Sequence, residues 1–236
     1  MLSKYLLPPD VFIRHWLVER EINKNGPGLG KTTLLDVGGS LGEMRKFLPN
    51  LKIVTTDVAA GADVLYDGYK LPFKKGEYDY VVSIDTLEHI PAGRRLNLLT
   101  QMDNISLEKV IAIAPFASLE HEKYEDELVR RFVKLNQPVP PYLVEHRKYG
   151  LLTLNQLDVA TKKNRLAAYT LVGRVWLDKY NFSVHMFEIK YGKLNKLIYL
   201  LKFGWNLIMN LLSPLIIFHS DKNTASRAMI IIEKPK

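Results

Sequence analysis

The chain has 236 residues, 47% hydrophobic and 25% charged, which supports one packed domain with a sizeable core and excludes wholesale disorder. It contains no cysteine, excluding a disulfide framework, a thiolate nucleophile and cysteine-ligated zinc, and fitting a reducing, cytoplasmic setting. A net charge of +8 suits nucleic acid, an anionic membrane surface or a phosphorylated acceptor without choosing among them, because Lys and Arg are scattered rather than massed.

Met1 to Pro9 carries only Lys4 and no apolar core before a cleavage site, so no secretion signal is expected. Asp10 to Asn25 sets Phe12, Ile13, Trp16, Leu17 and Ile22 at helical spacing and predicts an N-terminal helix, with Asp10 as its cap. Gly26-Pro27-Gly28-Leu29-Gly30-Lys31-Thr32 imitates a phosphate-binding loop, but three residues separate Gly26 from Gly30 where that loop needs four, and the run precedes its strand. Thr33 to Val37 predicts the first strand. Leu51 to Asp57, Ala62 to Tyr66, Tyr78 to Ile84 and Val110 to Ala114 predict four more, with helical stretches at Met44 to Leu48 and Arg94 to Met102. This alternation implies a parallel α/β sheet. After Pro115, Glu120 to Lys134 reads as a helix, Gln137-Pro138-Val139-Pro140-Pro141 as a break, and Thr153 to Lys163 and Arg165 to Lys179 as two further helices. Phe182 to Lys190 and Ala228 to Glu233 read as strands.

Between the first strand and its helix lies Gly38-Gly39-Ser40-Leu41-Gly42, a turn that lets backbone approach a ligand next to a helix N-terminus. A dinucleotide fingerprint would place glycines at the first, third and sixth positions, where this chain has Gly38, Ser40 and Glu43, so the nicotinamide reading weakens. Asp57 ends the second strand, where a carboxylate can accept both hydroxyl hydrogens of a ribose.

Asp36, two residues before Gly38, with Gly42 closing the turn, resembles motif I of the class I methyltransferases, with Ser40 in place of the middle glycine. Asp67-Gly68-Tyr69-Lys70-Leu71-Pro72-Phe73 and the later Asp85-Thr86-Leu87-Glu88-His89-Ile90-Pro91 resemble the small-molecule "type 11" subgroup of those enzymes. The resemblance spans Leu34 to about Phe116. It implies S-adenosyl-L-methionine as cofactor and S-adenosyl-L-homocysteine as product. It also implies roles for Asp36, Gly38, Gly39, Ser40 and Gly42 in the turn, for Asp67 at the adenine amine, for Val58 against its ring and for Asp85 near the methionine end. His89 is the candidate base, with an equal claim to a purely structural hydrogen bond on the pocket floor. His121, Glu125 and Glu145-His146-Arg147 are candidate acceptor contacts in a cap.

The expected fold is α/β, a Rossmann-like seven-stranded, mostly parallel sheet with helices on both faces, a helical cap and a C-terminal apolar helical insertion. In one domain over 1–236, an N-terminal helix and loop fill 1–30, the cofactor half 31–116, the cap 117–181, and the last strands with an insertion at about 194–218 fill 182–236. The expected activity is methyl transfer to a small-molecule, glycan or lipid-linked acceptor. The alternative is a non-catalytic S-adenosylmethionine-binding scaffold. Cytosine C5 chemistry is closed by the lack of cysteine, the motif of exocyclic-amine enzymes is missing, and RNA-oxygen methylation stays open without a motif in its support. No His, Asp and Glu set shows metal-ligand spacing, so no metal is implied. In Leu197 to Phe218, Lys202, Asn206, Asn210 and Ser213 form one helical stripe on an otherwise apolar helix. Three readings follow, namely burial in the cap or a dimer contact, a helix lying on a membrane surface, and a single span.

Overall fold

The computed structural model describes residues 2–24, 32–163, 167–179, 195–216 and 220–235. Gly26 to Lys31 of the phosphate-loop look-alike and the expected strand Phe182 to Lys190 lie outside them.

Seven strands form one sheet: β1 (Thr33–Val37), β2 (Lys52–Asp57), β3 (Val64–Leu65), β4 (Tyr78–Ile84), β5 (Ser106–Pro115), β6 (Ala167–Val172) and β7 (Arg227–Glu233). Their order is β3-β2-β1-β4-β5-β7-β6, with β7 antiparallel to β5 and β6 and the other pairs parallel. The central strands read as continuous apolar runs because both faces are covered. Alternate residues serve the two sides. Leu35, Val81 and Ala112 pack on α3 (Ala92–Ile105) and α6 (Leu154–Lys163), whereas Leu34, Val82 and Ile111 pack on α1 (Pro9–Asn23) and α2 (Met44–Phe47).

Register positions the site. Val37 pairs with both Thr56 and Ser83, so the carboxyl ends of β1, β2 and β4 stop level and Gly38, Asp57 and Asp85 emerge along one edge. At the same edge the antiparallel β7 begins, because Arg227 pairs with Pro115 and Val172.

Three expectations are corrected. Arg165 to Lys179 is not one helix, because Ala167–Val172 is the edge strand β6, inside the segment expected to be cap. Its Tyr169, Thr170 and Val172 suit a pleated surface, and pairing with β7 outweighs a weak helical pattern. Helix α1 starts at Pro9 behind Pro8, so Asp10 lies in its first turn rather than capping it. Pro141, in the expected break, is the first residue of α5 (Pro141–Tyr149), a position where proline's missing N–H costs nothing.

Helices α4 (Leu119–Lys134) and α5 pack through Tyr124, Leu128 and Leu143 above the carboxyl edge. Arg95 fastens this layer. Its buried guanidinium donates to the carbonyls of Ile90, Leu151, Tyr149 and Gly150 and to Gln156 Oε1, tying α3 to the C-terminal end of α5 and the segment that follows it.

The C-terminal helix α7 (Asn195–Ile216) turns its polar stripe inward. Lys202, Asn206, Asn210 and Ser213 are buried, and Asn206 and Asn210 donate to the carbonyls of Leu6, Tyr5 and Leu7 at 2.8–3.0 Å. Leu200, Leu201, Ile208, Leu211 and Leu215 face outward, Leu200 at 68% exposure. Among the described residues no helix is long and apolar enough to cross a membrane.

Candidate active site

Backbone shape comes first. Gly38 sits at φ +84°, and a Cβ there would lie 2.0 Å from Thr86 Oγ1, which itself donates to the carbonyl of Val37. A Cβ on Gly39 would lie 2.3 Å from the Asp36 carboxyl. The turn therefore folds down onto Asp36 and Thr86, as only glycine permits. Burial pushes the Asp36 carboxyl up to about 7, with a further push from Asp57 and a partial offset from Arg45. With Ser40 and Gly42, the turn lines a cavity of about 220 Å³ whose other wall is Leu7, Pro8, Val11 and Arg14.

Beside it lies a cavity of about 620 Å³ bordered by Gly38, Asp57, Val58, Asp67 and Tyr69. Asp57 accepts from the backbone N–H of Ala59 at 3.0 Å and of Ser40 at 3.4 Å. Val58 is 62% exposed, an apolar face open to the cavity. Asp67 Oδ1 accepts from the N–H groups of Lys70 and Tyr69, which hold its carboxyl below the usual range. A glycine turn, an acid at the end of β2 and an open apolar side chain fit an adenosine-bearing ligand.

A third cavity, of about 460 Å³, lies under α4 and α5. Asp85, at φ +48°, borders all three. Its carboxylate pairs with Arg14 of α1 and, at 3.1 Å, with Arg227 of β7. Burial works against that charge, but the two guanidinium groups outweigh it and keep Asp85 below the usual carboxylate range. Arg227 is in turn held more firmly charged by Asp85 and Asp178, despite burial.

His89 ends a short 3₁₀ turn, Leu87–His89, and stands between the second and third cavities. Its Nδ1 lies 2.6 Å from Glu145 Oε2 of α5. The neighbouring His146 Nδ1 lies 2.7 Å from Glu125 Oε1 of α4. Glu88 is 1% exposed, and burial, with Asp85 nearby, pushes its carboxyl well up. Burial pushes His121 down to about 4.

No protein-family model matches the chain, and no curated protein does. Solved structures match over nearly its whole length. The plantazolicin methyltransferase BpumL, in complex with S-adenosylhomocysteine, aligns at a TM-score of 0.53 and 13% identity over 97% of this chain and 85% of its own. Phosphoethanolamine N-methyltransferase 2 of Haemonchus contortus, in complex with S-adenosyl-L-methionine, aligns at 0.50 and 15% identity over 94% of this chain. The chain covers 53% of that Haemonchus protein, about half its length.

The fold is that of the class I S-adenosylmethionine-dependent methyltransferases.

Within this methyltransferase fold, Asp36, Gly38, Gly39, Ser40, Gly42, Asp57, Val58, Asp67 and Asp85 all come to the carboxyl edge, and His89 to the boundary with the third cavity. Of the cap candidates, His121, Glu125 and His146 line the third cavity and Glu145 the second, while Arg147 pairs with Asp126 on the surface. Sequence reasoning missed Arg14, Glu88, Asp178 and Arg227. The inward helical face carrying Asp10 and Arg14 was a signal for one of them, because a charge pair four residues apart on an otherwise apolar stripe is unusual.

Proposed function

We propose that the chain binds S-adenosylmethionine in the two cavities beside the glycine turn and passes its methyl group to an acceptor in the third, leaving S-adenosylhomocysteine. One observation carries this reading: the three cavities meet at Asp85, so a ligand on the glycine turn has its end next to the acceptor space. In the displacement an acceptor lone pair bonds to the methyl carbon as the carbon–sulfur bond breaks and its electrons go to sulfur. Alignment and exclusion of water supply most of the rate. An acceptor that must lose a proton meets His89, whose Nδ1 is held by Glu145 so that Nε2 remains to take it.

Calorimetry tests the reading. S-adenosylhomocysteine should bind, and Asp57→Ala should weaken it at least about tenfold, the loss of a charge-assisted hydrogen-bond pair. No binding, or preferential stabilisation by ATP or NAD, would overturn it. Binding without turnover on a panel of glycans, lipids, quinones and small metabolites would make the chain a binding module instead. The Haemonchus protein holds phosphomonomethylethanolamine and the plantazolicin enzyme a triazolic desmethylPZN analog, each with S-adenosylhomocysteine, which supports a small-molecule acceptor.

The outward apolar face of α7 favours a lipid-linked acceptor within that class. On a chain of net charge +8, it fits an anionic bilayer surface. Flotation with anionic vesicles should recover the chain and lose it when Leu200, Leu211 and Leu215 become Gln. Equal recovery rejects the membrane contact.

A further inference from the structure

We infer that Glu88, His89 and His146 form a binding site for a divalent transition-metal ion whose open positions face the acceptor cavity. Each offers one ligand atom, and these atoms all lie within 4.8 Å of one another. Around a tetrahedral ion with bonds of about 2.0–2.1 Å, ligand atoms stand roughly 3.3 Å apart, so small side-chain rotations close the set. Glu88 and His89 share one 3₁₀ turn, and His146 comes from α5, whose C-terminal end Arg95 fixes.

The surroundings of the two imidazoles are those of metal ligands. A ligating histidine commonly gives its other ring N–H to a carboxylate, which fixes the tautomer and leaves a lone pair on the ligating nitrogen. Here Glu145 takes Nδ1 of His89 and Glu125 takes Nδ1 of His146, each within 2.7 Å, leaving Nε2 of both rings.

Glu88 supplies an independent observation. Its side chain is buried in the wall of the third cavity, and among the described residues its Oε2 has no hydrogen-bond partner. The two arginines that line the same cavity, Arg14 and Arg227, are paired with Asp85. A buried carboxyl oxygen without a partner is costly, and a cation beside two imidazole nitrogens satisfies it.

Two imidazoles and one carboxylate favour zinc or ferrous iron over magnesium or calcium, which prefer all-oxygen sites. Three protein ligands leave positions for an exogenous group. Resting on the proposed methyl transfer, the ion takes an oxygen atom of the acceptor, and His89 Nε2 is then a ligand rather than a base.

Untagged full-length protein, stripped with EDTA, is titrated with Co²⁺ by visible d–d absorption and with Zn²⁺ by calorimetry. The expected result is one ion per chain, displacement of cobalt by zinc, and an unfolding midpoint that rises with zinc. Glu88→Gln and His146→Gln should each weaken binding at least about a hundredfold, and Glu125→Gln about tenfold. If Glu88→Gln fails to fold, His89→Gln, on a half-exposed side chain, and His146→Gln decide. No cobalt band in the wild type, or undiminished bands in the histidine variants, overturns the site. S-adenosylhomocysteine binding by the stripped protein is measured alongside. Its loss with cobalt binding intact would sink methyl transfer and leave the metal site, and the reverse would sink the metal site alone.

Discussion

The two sides of Asp85 are built by different means. On the cofactor side the shape is made by backbone: Gly38 and Gly42 at positive φ, and Gly39 pressed against Asp36. Among the described residues, the acids that would grip a ligand there, Asp57 and Asp67, accept only backbone N–H groups. On the acceptor side, side chains from α1, α4, α5, the 3₁₀ turn and β7 converge, and their charges are tied to one another. A cavity shaped by backbone tolerates changes of charge better than added atoms. One shaped by paired side chains has the opposite weakness.

That contrast can be broken by mutation. The largest stability loss should come from Arg227→Leu, which takes from the buried Asp85 one of its two guanidinium partners and from Asp178 its nearby positive charge, at about 3–5 kcal/mol in urea unfolding. A cost below about 1 kcal/mol would mean the acceptor-side charges are not mutually dependent. Gly38→Ala should cost less stability, about 1–3 kcal/mol of backbone strain, yet abolish S-adenosylhomocysteine binding. Binding within about tenfold of wild type would show that backbone does not shape the cofactor side.

A subtler difference is in pH dependence. Asp36, raised to about 7, contributes stability present below its unfolded value and lost as pH rises through 7, so Asp36→Asn should gain on wild type from about pH 4 to pH 7. His121, lowered to about 4, has the opposite sign, because folding holds it neutral and stability falls as pH drops from 6.5 towards 4. His121→Gln should therefore soften the acid limb and leave the alkaline one alone, and parallel curves for the two variants would refute the contrast. The smallest effect belongs to the outer face of α7, where Leu211→Gln should change stability by no more than about 0.5 kcal/mol.

The same contrast decides what could be read from the sequence. β1 and its turn, β2 with Asp57, and β4 with Asp85 are contiguous strand-and-loop words, and β4 falls at Tyr78–Ile84 as its β-rich run predicts. The acceptor side has no such words. Arg227 opens the last strand, Arg14 sits one turn into the first helix, and they meet only through Asp85. Glu88 and His146 lie on separate elements, so no ligand spacing could show itself in the chain. β6 was misread because its strand character comes from its partner β7 rather than from alternation. The polar stripe of α7 was visible, but which way it faced depended on the carbonyls of Tyr5, Leu6 and Leu7.

Those carbonyls also impose an order on biosynthesis. Tyr5 to Leu7 find their hydrogen-bond donors on Asn206 and Asn210, 200 or more positions later in the chain. Until α7 has been translated the 3₁₀ turn Leu2–Leu6 is tied to α1 by Lys4 and Glu19, but the carbonyls of Tyr5, Leu6 and Leu7 lack these donors, so the wall that Leu7 and Pro8 give the glycine-turn cavity is incomplete. A segment made early is thus among the last to be fully seated, and a ribosome-bound chain stopped before Asn206 carries the nucleotide turn without its finished enclosure.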